Sequence, residues 1–118
     1  METMNLKEMK AMSTDVIRDL EIDRLDNVQG RDVLYEKMKI TEREYMRDIT
    51  QNAKEYGLTN QAARDNAFEE MLAKDRDYQV LKYDHDRIVK KIAYIDIDIS
   101  FARREFRRWE LEQMREVE

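Results

Sequence analysis

The sequence has no cysteine, no proline and only two glycines in 118 residues. Without cysteine there is no disulfide framework and no thiol chemistry. Without proline nothing obliges a helix to stop, and two glycines leave little vocabulary for the turns that join strands. Histidine occurs once, as His85, so the three or four ligands of a zinc site are out of reach and no metal or cofactor is expected. No run approaches the ~18 apolar residues of a membrane span. Charges recur every few residues from Met1 to Met12, which is not the apolar core of a secretory signal. The expected location is the cytoplasm, with no membrane partner.

What the sequence does have is charge and apolar side chains in equal measure, 42% each. That is the composition of long helices. A disordered chain is the competing reading, but the apolar residues recur in phase along most of the sequence, an order that disordered segments lack. The net charge of −5 argues against bulk attraction to nucleic acid or anionic lipid, so any such binding has to come from a local patch.

Tyr56-Gly57-Leu58-Thr59 is the clearest local signal. Gly57 can take the left-handed conformation that ends a helix, Leu58 can pack back on Ala53 and Thr59 can cap the next helix. So short a loop turns the second helix back antiparallel to the first. Beyond it, Ala67, Met71, Lys74, Tyr78, Leu81, His85, Ile88, Ile92, Ile95, Ile99, Ala102, Phe106, Trp109 and Gln113 follow alternating steps of four and three. That is a heptad seam, and it predicts one helix over about 60–115. Ile95 to Phe101 alternates with period two and reads as a strand in isolation; the flanking heptads, with no turn residue between, make helix the reading.

Upstream the pattern is fainter. Tyr35, Met38, Tyr45, Ile49, Asn52 and Tyr56 keep a seam interrupted by Glu42, which predicts a helix over about 32–56. Ser13 or Thr14 can cap a shorter helix over about 14–26, Asn27-Val28-Gln29-Gly30 is expected to break or kink the chain, leaving open whether the segment before Gly30 continues the first arm, and residues 1–12 are expected to be flexible. The predicted fold is all-α: a single domain over 13–118, an antiparallel helical hairpin with one long coiled-coil helix. An arm over 32–56 spans roughly 36 Å against roughly 84 Å for one over 60–115. The long arm therefore requires company, and a homo-oligomer is expected, with Leu81, His85, Ile88, Ile92, Ile95, Ile99, Phe106 and Trp109 at its interface. A second apolar line at Ala73, Val80, Tyr94 and Phe101 lies off the main seam.

Nothing in the sequence assembles a catalytic set. Asp96 and Asp98, like Asp84 and Asp86, sit two apart on a helix and point to different sides. There is no Gly-rich phosphate loop and no nucleophile elbow, so neither enzymatic activity nor a small-molecule substrate is expected. His85 reads as a polar residue that sets register within the seam. The departure from the acidic average is Arg103, Arg104, Arg107 and Arg108, interleaved with Phe106 and Trp109, with Arg87 and Lys90 continuing the same face earlier. Guanidinium groups in a stripe can contact successive phosphates, and rings can stack on unpaired bases.

In Leu72-Ala73-Lys74-Asp75-Arg76-Asp77, in the long amphipathic helix ending in Phe106 to Met114 and in the preceding helix, the chain resembles helical proteins of phage recombination regions, the UvsY-type recombination mediators. The resemblance covers about half the chain. It implies oligomeric helical subunits that bind single-stranded DNA and a recombinase in the host cytoplasm, an accessory of DNA recombination or replication. The alternative is an acidic inhibitor of a host nuclease or defence complex. Its array would be Glu70, Asp77, Asp84, Asp98, Glu105 and Glu112, set against a basic groove.

Overall fold

A computed structural model describes residues 6–117 and shows three helices and no strand among them: α1 (Leu6–Asn52), α2 (Gln61–Lys74) and α3 (Arg76–Val117). The expected flexible segment 1–12 divides: residues 1–5 lie outside the described residues, and residues 6–12 are helical. No helix among the described residues is long and apolar enough to cross a membrane.

The break expected at Asn27 to Gly30 does not occur, because α1 runs through it. Asn27 turns its amide back onto its own helix, donating to the Asp23 carbonyl at 2.7 Å and to the Asp23 carboxylate at 3.1 Å. A lone helical glycine costs only ~1 kcal/mol relative to alanine, which packing offsets. Thr14 is not a cap either: its hydroxyl donates to the Lys10 carbonyl at 2.8 Å from within the helix. The arm expected over 32–56 thus belongs to a helix of 47 residues, against 42 in α3.

The loop after α1 closes as a Schellman ending. Gly57 has φ 70, Leu58 N–H donates to the Ala53 carbonyl at 2.8 Å, and Gly57 N–H donates to the Lys54 carbonyl at 3.3 Å. The cap of the next helix is Asn60, not Thr59: its side chain accepts from Ala63 N–H at 2.8 Å. The single helix expected over 60–115 is divided at Asp75, where the backbone opens to φ −80, ψ 105. Asp75 caps α3 by accepting from Tyr78 N–H at 2.9 Å. The exposed end of α2 is closed by the Gln79 amide, which donates to the Leu72 carbonyl at 2.9 Å.

The chain forms two compact units, residues 1–29 with 89–118 and residues 30–88. In the first, Ile92, Ile95 and Ile99 are buried, each contributing ~1.5–3 kcal/mol by leaving water. Ile97, between them in sequence, is 60% exposed, the mark of helical rather than strand periodicity. Arg24 pairs with Asp96 at 2.6 Å and Arg103 with Glu21 at 2.8 Å. In the second unit the core is Met38, Ile49, Ala53 and Tyr78, with Ile49 fully enclosed. Tyr35 lies 6.2 Å from the His85 ring, and Lys39 sits 5.1 Å over the Tyr35 ring and 3.5 Å from Glu42. Glu42 first, and then Tyr35, raises the pKa of the Lys39 ammonium.

Candidate functional site

Two lines run along α3. The heptad seam is its covered line: Tyr78, Ile92, Ile95 and Ile99 are buried, and Leu81, His85, Ile88, Phe106 and Trp109 half-buried. Residues expected at an oligomer interface are thus placed against this chain's own helices.

Two positions further on at each step, about 200° around the helix, lies a second line. In the first unit it reads Lys90, Tyr94, Ile97, Phe101, Arg104, Arg108, Leu111 and Arg115, every one exposed. It holds apolar and cationic side chains and no carboxylate. Tyr94 is 66% and Phe101 60% exposed, so two aromatic rings stand in water among four cations. In the second unit Val80, Tyr83 and Arg87 follow the same spacing and are exposed.

The six candidate nucleic-acid residues separate accordingly. Lys90, Arg104 and Arg108 are on the outer line, with Arg108 3.6 Å from Glu112 and the Arg104 guanidinium donating to the Ser100 carbonyl at 3.4 Å. Arg107 flanks the line, exposed and in no ion pair among the described residues. Arg103 is held by Glu21 at 2.8 Å and does not join them. Arg87, in the second unit, lies 3.9 Å from Asp84. Phe106 and Trp109 lie on the covered line where their heptad positions put them, and the rings on the outer line are Tyr94 and Phe101. The sequence carried this signal, since the off-seam apolar residues and the arginines share one spacing.

Phe106 and Trp109 stack, with centroids 5.9 Å apart, and line an open apolar groove of about 510 Å³ with Val16, Leu20, Phe101 and Ala102. The Trp109 indole N–H is buried there without a hydrogen-bond partner among the described residues. Of the acidic column, Glu70 pairs with Lys74 at 2.8 Å, Asp84 with Arg87 and Glu112 with Arg108. The Lys74 bond and its charge lower the pKa of Glu70. His85 has its Nδ1 3.2 Å from an Asp86 carboxylate oxygen. No group of three or more potential ligands that could hold a metal occurs among the described residues.

No family model matches the chain, and no curated protein or solved structure matches it either.

Proposed function

We propose that this chain is a non-enzymatic, homo-oligomeric helical hairpin protein that binds single-stranded DNA through the outer line of α3. In this reading it serves phage-type DNA recombination or replication as a mediator-like accessory in the host cytoplasm, with a recombinase as its protein partner. The observation that carries the reading is the placing of Lys90, Arg104 and Arg108 with the exposed rings of Tyr94 and Phe101 on one face without carboxylates. Cations supply a salt-dependent attraction to phosphates, and exposed rings supply stacking platforms that tolerate any base. A local patch of this kind accommodates the net charge of −5, because Asp98, Glu105 and Glu112 run beside the line rather than within it, Glu112 lying 3.6 Å from Arg108.

The test is retention of a labelled single-stranded oligonucleotide. Wild type is expected to bind at low salt and to release as salt rises, and Arg104→Glu with Arg108→Glu to abolish retention with helicity unchanged. Absence of salt-sensitive binding by the wild type refutes the reading.

A second reading, inhibition of a host nuclease or defence complex, is favoured by Asp77, Asp98 and Glu105, which are exposed and in no ion pair among the described residues. Co-purification from host lysate separates the two: a stoichiometric host enzyme selects inhibition, and recombinase or single-stranded DNA selects the mediator.

A further inference from the structure

Helix α1 carries a face that complements the outer line of α3. Met12, Asp15, Asp19, Ile22 and Asp26 follow the same alternating steps and are all exposed. Asp15, Asp19, Ile22 and Asp26 each stand two positions beyond a covered residue of the half-buried line Ser13, Ile17, Leu20 and Arg24, hence on the far side of the helix. This face holds carboxylates and apolar side chains and no cation. Asp15, Asp19 and Asp26 enter no ion pair among the described residues. Met12 is 54% and Ile22 48% exposed, as Phe101 is 60% and Leu111 48%. Phe101 borders the groove toward α1 at one edge of its face, but Arg104, Arg108, Leu111 and Arg115 on α3 and Asp15, Asp19, Ile22 and Asp26 on α1 are exposed on the sides away from the covered lines, so one copy does not bring the two faces together.

We infer that the occupant of each face is a second copy of this chain: the acidic face of α1 in one copy docks on the basic face of α3 in the next. This deepens the self-association within the function proposed above and does not depend on the nucleic-acid part of it. The register is in the side chains. Laid parallel, Met12 falls opposite Phe101 and Ile22 opposite Leu111, while Asp15 meets Arg104, Asp19 meets Arg108 and Asp26 meets Arg115. Each layer joins apolar to apolar or anion to cation. Laid antiparallel, Asp15 falls opposite Arg108, Asp19 opposite Arg104, Met12 opposite Leu111, Ile22 opposite Phe101 and Glu8 opposite Arg115, with only Asp26 against Ile97, so the two faces complement each other in either direction.

Charge also rejects the alternatives among copies. Two α3 faces in parallel register would set Arg104, Arg108 and Arg115 against themselves, and two α1 faces would do the same with carboxylates. Because different patches meet, the contact is heterologous, and every added copy leaves one face of each kind open for the next. A contact over Met12–Asp26 is about 21 Å long, and its charged layers are screened by salt. Assembly should therefore grow with protein concentration and shrink with salt. Single-stranded DNA would claim Arg104 and Arg108 in place of the neighbouring α1, so DNA and assembly compete for one face.

The test is a charge exchange read by sedimentation of the full chain at low salt. One variant carries Asp15→Arg, Asp19→Arg and Asp26→Arg, and the other Arg104→Glu, Arg108→Glu and Arg115→Glu. Each alone is expected to sediment as a monomer where wild type assembles, and an equimolar mixture to regain the assembly. A milder variant, Asp15→Asn with Asp19→Asn and Asp26→Asn, leaves an ordinary polar helix face and should raise the concentration needed for assembly about tenfold. A wild type that is monomeric throughout, an Asn variant that assembles like wild type, or a mixture that stays monomeric overturns the inference. Diluted below the concentration at which it assembles, where the α3 face is open, a wild type that binds no oligonucleotide rejects the DNA reading and leaves this one standing.

Discussion

The Tyr45 hydroxyl donates a 2.6 Å hydrogen bond to one carboxylate oxygen of Asp75, while the other oxygen accepts from Tyr78 N–H at 2.9 Å. One carboxylate thus ties α1 to the joint between α2 and α3 and starts α3. The bond from Tyr45, and then that from the Tyr78 backbone, hold the Asp75 pKa below its ordinary value. The same bond, with loss of hydration and the charge of Asp75, raises the pKa of Tyr45.

Stability should respond at both ends of the pH scale. Asp75 has a depressed folded pKa, so its contribution is complete above the ordinary value of 3.8 and is lost as pH falls below it. Tyr45 has a raised one, so its contribution is complete below 10.0 and is lost as pH rises above that. Tyr56, raised chiefly by its bond to Asp48, adds to the alkaline loss. Thermal melts followed by circular dichroism should show Tm falling in both windows. Tyr45→Phe should lower Tm near neutrality by about 2–4 °C and reduce the alkaline loss. An alkaline limb unchanged by Tyr45→Phe would contradict the bond.

The two glycines should respond oppositely to alanine. At Gly30 a Cβ would stand 3.8 Å from the Ile88 Cδ1, an ordinary contact, and Gly30→Ala should stabilise by ~0.5–1 kcal/mol through helix propensity. At Gly57 the space is open but φ is +70. Gly57→Ala should therefore cost ~1–2 kcal/mol in left-handed strain. Urea unfolding of both variants checks the pair of signs.

His85 sits half-buried on the covered line of α3, beside the Tyr35 ring. His85→Leu should exchange a polar ring for apolar area and raise stability by ~1 kcal/mol, with Tm rising accordingly. A melting curve identical to wild type would show that the residue does not pack there.

Legibility in the sequence followed the chemistry of the inward positions. On α3 the covered positions from Tyr78 to Trp109 are apolar except Asp84 and His85, so their steps show in the sequence itself. On α1 the covered line includes Ser13, Arg24, Asn27, Arg31, Thr41 and Asp48, so hydropathy alone could not trace one helix through Gly30. Arg24 stands inward because Asp96 receives it, a pairing distant in sequence. The joint at Asp75 was hidden for a similar reason. An aspartate within a charged run reads as solvated surface until Tyr45 is placed beside it. The outer line of α3 was present as two fragments, arginines in one and apolar residues in the other. They join only once burial shows which positions face water, and that same distinction exposes its acidic counterpart on α1.

Trp109 provides a test of the groove in the first unit. Its indole N–H is buried without a partner among the described residues, and such a group costs ~1–3 kcal/mol. Its ring stacks on Phe106 and covers the floor shared with Val16 and Leu20. Trp109→Phe removes the N–H and some apolar area while keeping a ring on Phe106, two changes of opposite sign, so stability should move by less than ~1 kcal/mol. Trp109→Ala removes the ring altogether and should cost up to ~3 kcal/mol, the low end for a buried aromatic because Trp109 is only half-covered. Urea titrations followed by circular dichroism give both values. If phenylalanine proved as damaging as alanine, the N–H would have to be partnered in solution, and the groove would be polar at its base rather than dry.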